Sequence, residues 1–236
     1  MASGSQRLDR YLSRTLGINR REVKPLLAQG RILVDNRSVS AADHLIDEFS
    51  HITFDARVLQ AKLPVYLMLH KPVGFLSATT DPQHTTVIDL LHRADKNDLH
   101  IVGRLDRGSS GLLLLTNDGR WSRALMAPEH EVPKVYLVTL QNPLTPDYEK
   151  AFAEGMYFDY EDITTRPARL EILEERLARV TLVEGRYHQI KRMFGRFRNP
   201  VLALHRTAIG NLQLDPALAP GQSREVTAAE LKGLQG

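Results

Sequence analysis

Leu8, Tyr11, Leu12 and Leu16 recur at helical intervals and predict a short amphipathic helix over residues 7–16, ended by Gly17. Asn19 followed by Glu22 is the pattern of a capping box that opens a second helix with Val23, Leu26 and Leu27 turned inward. Pro25 falls inside that helix, where it removes a backbone donor, so a kink or a displaced helix start is expected. Gly30 closes the helix, ILV begins a strand, DNR turns it, and a second short strand follows around Val39. Residues 55–64, DARVLQAKLP, read as a linker.

Beyond it the apolar positions take the period of strands. VYLMLHKPVGF is an apolar strand running into a Pro/Gly turn, and HIVGRLD and GLLLLT are strands on either side of a glycine-flanked loop. NDG turns into a helix with Trp121 and Leu125, KVYLVTL is a further strand, and ARLEIL with ARVTLV alternates as a hairpin over 168–183. YHQIKRMFGRF predicts a helix with Ile190, Met193, Phe194 and Phe197 on one face and His188, Lys191 and Arg192 on the other. Many strands, few helices and no strand–helix alternation predict an α+β chain. Its parts are a small helix–helix–hairpin domain over 6–60 and a larger domain over 65–236 with a mixed, mainly antiparallel sheet.

Composition narrows the chemistry. The 236 residues include no cysteine, which excludes disulfides, thiolate nucleophiles and sulfur-ligated metals. No apolar run reaches the roughly 20 residues of a membrane span, and MASGS lacks the apolar core of a signal peptide, so a cytoplasmic protein is expected. Net charge is only +3, yet residues 1–40 hold eight Lys/Arg against three Asp/Glu, and residues 181–210 hold six against one. Two basic zones on an otherwise acidic chain predict a polyanion gripped at two places. There is no GK[ST] loop, no GxGxxG, no HExxH, and no metal-ligand spacing among the nine histidines, so neither cofactor nor metal is expected. No long apolar stripe is left over, and a monomer is expected.

Helix, helix, then a hairpin carrying GRILVDN resembles the S4 RNA-binding domain. By position in that family, Arg20, Arg21, Lys24 and Arg31 would contact phosphates, a role that long cations on one face suit. Downstream, GRLDRGSSGLLLLTNDG, KVYLVTL and EGRYHQIKRMF, preceded by LHKPVGF and followed by LHRTAIGNLQLDPALAPG, resemble in order and spacing the RsuA-type pseudouridine synthases. His70 stands where that family often has asparagine, and PKVYLV replaces its commoner Lys-Thr-Tyr pattern.

The resemblance implies a larger domain of pseudouridine-synthase fold and a cofactor-free isomerisation of uridine in ribosomal RNA. In it Asp106 would be the essential carboxylate, Lys191 its counter-charge and Tyr136 the ring that stacks on the base. Arg104, Arg186, His188, Gln189, Arg192 and Arg206 are typed to hold the RNA around an extruded nucleotide. The end of the chain carries no basic tail, which favours 16S ribosomal RNA, or a small-subunit assembly intermediate, as the partner. The alternatives are a sister synthase acting on 23S ribosomal RNA, a non-enzymatic S4-type assembly protein, and a hydrolase that would release free uracil.

Overall fold

The computed structural model describes residues 5–234, which form two compact units. One comprises the chain up to Pro64 with Asp118–Arg120, and the other Val65–Asn117 with the chain from Trp121 onward. Among the described residues no helix is long and apolar enough to cross a membrane.

The first unit packs helices Leu8–Leu16 and Arg20–Ala28 on a four-stranded sheet ordered Arg37–Ser38, Ile32–Val34, Ile52–Phe54, Arg57–Gln60. Leu8, Tyr11, Leu12, Val23, Leu27, Ile32 and Ile52 form its core. Pro25 neither ends nor displaces the second helix, which begins at Arg20, where the Glu22 carboxylate accepts the Asn19 N–H at 2.7 Å. Residues 55–64 are not simply a linker. Asp55 and Ala56 both take positive φ, the pair a two-residue hairpin needs, and Arg57–Gln60 returns along Ile52–Phe54. RVLQ hides this strand from a hydrophobicity reading because Arg57 and Val58 are exposed and Leu59 and Gln60 only half-buried.

The second unit is built on a nine-stranded sheet. Its main path runs Arg169–Glu174, Leu177–Leu182, Lys134–Leu140, Val201–Ile209, Ser110–Thr116, Tyr66–Lys71, Ser223–Glu225. His100–Val102 and Leu212–Gln213 pair beside that path, and every pairing is antiparallel except Ser110–Thr116 with Val201–Ile209. Four consecutive leucines are possible because the central strand is covered on both faces. Leu113 and Leu115 face one core with Tyr136, Val138 and the helix Gln189–Gly195; Leu112 and Leu114 face another with Trp121 and Leu125.

Two irregularities shape the first of these faces. The register of Lys134–Leu140 against Val201–Ile209 slips between Val135–Ala208 and Tyr136–Arg206, leaving Thr207 as a bulge and setting Tyr136 directly opposite Arg206. On the other side Arg206 lies level with Gly111, whose φ is +108°. A Cβ on Gly111 would lie 2.2 Å from the Arg206 carbonyl oxygen and 2.6 Å from its nitrogen, backbone atoms that cannot turn aside. Gly111→Ala is therefore expected to cost at least about 2 kcal/mol, roughly 4–8 °C in melting temperature for a chain of this size. Thermal unfolding checks it; a variant melting with the parent would show that this approach is not tight in solution.

Candidate active site

The strand Tyr66–Lys71 ends at a lysine, and that lysine organises the loop after His100–Val102. Lys71 is fully buried, and its ammonium donates to the backbone carbonyls of Ser109 at 2.8 Å, Pro72 at 3.0 Å and Asp106 at 3.1 Å. The Ser77 hydroxyl donates to the Leu105 carbonyl at 2.7 Å and lies 3.1 Å from the Leu105 N–H, which donates to it. Gly74 N–H donates to the Arg107 carbonyl at 2.7 Å, and Ser109 N–H closes a turn onto the Asp106 carbonyl at 3.0 Å. With its main chain held inward, Asp106 turns its carboxylate into a cavity of about 480 Å³.

Across that cavity His188 Nε2 lies 3.3 Å from Asp106 Oδ2, and Lys191 Nζ lies 3.6 Å from the same oxygen. His188 has left-handed backbone (φ +48°) just before the helix Gln189–Gly195, a conformation a non-glycine residue adopts at a cost of about 1–3 kcal/mol. Lys191 then follows three residues on, one turn further along the same face. Tyr136 and Arg206, brought level by the bulge, line the inner wall with Leu182, Leu204 and Ile190. Asp106, Tyr136 and Lys191 thus meet at one cavity.

The predicted RNA contacts divide by position. Arg104 and Arg186 are exposed at the cavity's edge, and Arg186 Nε also donates to Glu184 at 2.9 Å. His188 sits deeper than a backbone contact requires, against the carboxylate. Gln189 is buried: its amide donates to Glu184 at 2.6 Å and accepts the Arg186 N–H at 3.0 Å, so its side chain folds the EGRYHQ turn at the cavity's wall. Arg192 turns away, pairing with both Glu161 carboxylate oxygens at 2.5 Å and lying over the Phe158 ring at 3.8 Å. Arg206, 2% exposed, is too deep to hold displaced backbone. In the first unit Arg20 pairs with Asp9 at 2.6 Å and Arg31 with Asp55, whereas Arg21 and Lys24 are exposed and, among the described residues, make no ion pair.

Sequence reasoning missed Lys71, Ser77, Ser109, Arg107 and Tyr187. Lys71 and Ser77 act on backbone carbonyls, which no side-chain pattern announces. The exposed Tyr187, its ring stacked on His188 with centroids 3.9 Å apart, carries the one visible signal: an aromatic residue among the cations of EGRYHQIK.

The sequence profile described as RNA pseudouridylate synthase matches residues 65–195. The chain is 50% identical over 226 residues to ribosomal small subunit pseudouridine synthase A of Pseudomonas aeruginosa, covering 95% of this chain and 98% of that protein. Against the protein of the same name from Escherichia coli K12 the identity is 40% over 227 residues, covering 95% and 98%. This chain belongs to the RNA pseudouridylate synthase family. A crystal structure of a pseudouridylate synthase, 35% identical, matches the fold with a TM-score of 0.71 over 98% of this chain and all of that one. The nine-stranded, mainly antiparallel sheet is thus a pseudouridine-synthase fold, and the chain is an RNA pseudouridine synthase.

Two expectations follow for this synthase. Lys191 is the nearest ammonium to the carboxylate, so Lys191→Met is expected to lower the single-turnover rate about a hundredfold while RNA affinity falls little. A parental rate would remove Lys191 from the site. The second concerns pH. Burial, with a further push from the Arg206 charge and an opposing pull from Asp106, brings the Lys71 ammonium down to about 8. Between that value and the ordinary 10.5 the unfolded chain holds a proton the folded chain has lost, so this group's linked stability rises with pH. The loss is local: a neutral amine holds the Asp106 and Ser109 carbonyls less firmly. The reaction rate is expected to fall on the alkaline side of about pH 8 with no fall in melting temperature from this group. Parallel rate and melting profiles test this, and a flat rate through that window would refute it.

Proposed function

We propose that this synthase isomerises one uridine of 16S ribosomal RNA, with Asp106 as the reacting carboxylate. The single observation that carries the target is the near full-length identity to synthases named for the small ribosomal subunit. The reaction breaks the N1–C1′ bond, turns the uracil over, joins C5 to C1′, and exchanges a proton at C5 for one at N1. Nothing is oxidised or reduced. Attack by the carboxylate and proton abstraction by it both demand an ionised oxygen beside the sugar, as in glycoside chemistry. His188 Nε2 and Lys191 Nζ face Asp106 Oδ2 at 3.3 and 3.6 Å, and Tyr136 offers a ring for the extruded base.

The unit over residues 6–60 acts as an S4-like clamp that grips phosphates through Arg21 and Lys24, with Arg20 and Arg31 beside them. Exchanging both Arg21 and Lys24 for alanine is expected to make the log–log salt dependence of RNA binding shallower by roughly 1.5 in slope, the yield of two lost phosphate contacts. An unchanged slope would take this helix off the RNA.

Asp106→Asn tests the catalytic reading. Asparagine keeps the size and the turn but neither the charge nor the nucleophilicity. The variant is expected to melt within a few degrees of the parent and to bind ribosomal RNA, yet to form no pseudouridine in a single-turnover assay with excess enzyme. Near-parental formation would overturn the assignment of Asp106. Mapping pseudouridine in both ribosomal RNAs of a strain lacking this gene tests the target: one site is expected to vanish from 16S, and a site lost from 23S instead would reassign the substrate.

A further inference from the structure

Buried polar atoms in folded proteins nearly always have partners. Among the described residues three buried side-chain atoms have none: His51 Nδ1 in the first unit, and Ser109 Oγ and Arg206 Nη2, which both belong to residues lining the Asp106 cavity. Arg206 Nε donates to the Leu112 carbonyl at 2.7 Å, which fixes the guanidinium plane and leaves Nη2 unused. Arg206 also makes no ion pair among the described residues, although its charge pushes the ammoniums of Lys71 and Lys134 toward their neutral forms. Retaining a buried cation and a buried hydroxyl unpaired is costly for the fold, and an apolar side chain would avoid that cost.

Sheet geometry brings the two groups together. Arg206 is level with Gly111 on the adjacent parallel strand, Ser109 immediately precedes that strand, and Arg206 and Ser109 both line the one cavity. Tyr136, directly across from Arg206, lines it too.

We propose that Arg206 and Ser109 read the pairing edge of the base in the cavity: Arg206 Nη2 donates to the O4 carbonyl, and the Ser109 hydroxyl accepts the neighbouring N3 imide N–H. This rests on the reading above that an extruded uridine enters beside Asp106. A guanidinium has only donors, whereas a hydroxyl can also accept. Uracil offers a carbonyl, an imide N–H and a second carbonyl; cytosine turns an amino donor and a bare ring nitrogen to the same pair. Cytosine would leave the guanidinium facing a donor inside a buried site, the kind of mismatch that discriminates by roughly a hundredfold or more. Phosphate is the poorer match for Arg206, because the RNA backbone stays at the rim, where Arg104, Arg107 and Arg186 are exposed.

The test compares the full-length enzyme with Arg206→Met, Arg206→Lys and Ser109→Ala in single-turnover assays. The RNA is a fragment carrying the mapped target as uridine, 2-thiouridine or 4-thiouridine, since a thiocarbonyl is a weaker acceptor. The parent is expected to lose about tenfold on 4-thiouridine and little on 2-thiouridine, the worth of one charge-assisted bond at O4, and Arg206→Met to lose less than about twofold on 4-thiouridine. Arg206→Lys keeps a donor and is expected to retain part of the penalty; should the methionine variant not fold, Ser109→Ala carries the test. Ser109→Ala, which removes a single atom, is expected to slow uridine about tenfold at a melting temperature no lower than the parent's. Equal thio penalties in the parent and Arg206→Met, or a parental rate in Ser109→Ala, would overturn the proposal. No conversion of uridine by the parent would instead refute the reading of the cavity on which it rests.

Discussion

An ammonium without water must be surrounded by oxygen, and Lys71 meets that demand with three main-chain carbonyls. Two of them belong to Asp106 and Ser109, the ends of the turn between the strands His100–Val102 and Ser110–Thr116. One buried charge thus ties the end of one central strand to the loop entering its neighbour. Asp106 has its carbonyl committed inward and its carboxylate committed outward. A backbone tether of this kind matters to catalysis because reacting groups must be placed to within a fraction of an ångström.

The opposite wall obeys a different constraint. The bulge at Thr207 and the close approach at Gly111 set Tyr136 and Arg206 level across adjacent strands, while the helix Gln189–Gly195 buries Ile190, Met193 and Phe194 against the same face. Seating that apolar face brings His188 and Lys191 to the carboxylate at the helix's first turn. Packing energy in the core and charge placement in the cavity are therefore two consequences of one docking event. The left-handed backbone at His188 is the local strain that docking sustains.

Asp106 drew notice as a charged residue between glycines before four leucines, but such a loop equally suits a polar turn, and only the ordered motifs singled it out. Lys191 and Tyr136 were legible only through the ordered motifs, since a cation on a basic helix and a tyrosine on a strand are ordinary by themselves. The sheet's mixed character followed from many strands without strand–helix alternation, and its strands from apolar runs and one alternating hairpin. The helix Asp147–Glu154 did not, although Tyr148 and Phe152 sit one turn apart and both are buried. The basic face of 188–192 misled in part: Arg192 has the right spacing, but Glu161, distant in sequence, claims it. The bond of Gln189 to Glu184 lay across a turn that residue types alone do not reveal. Lys71 was invisible because its ligands are carbonyls, and LHKP reads as an apolar strand meeting a turn.

Backbone tethering of the Asp106 loop, and not merely the presence of a carboxylate, makes the site. The most direct measurement is the single-turnover rate of pseudouridine formation by Lys71→Met, with folding and RNA affinity followed in parallel. Methionine nearly matches the length of lysine and cannot donate. The account predicts a folded protein of lower melting temperature that binds RNA and reacts at least about a hundredfold more slowly, the scale of losing preorganisation at a reacting group. A parental rate from that variant would contradict it.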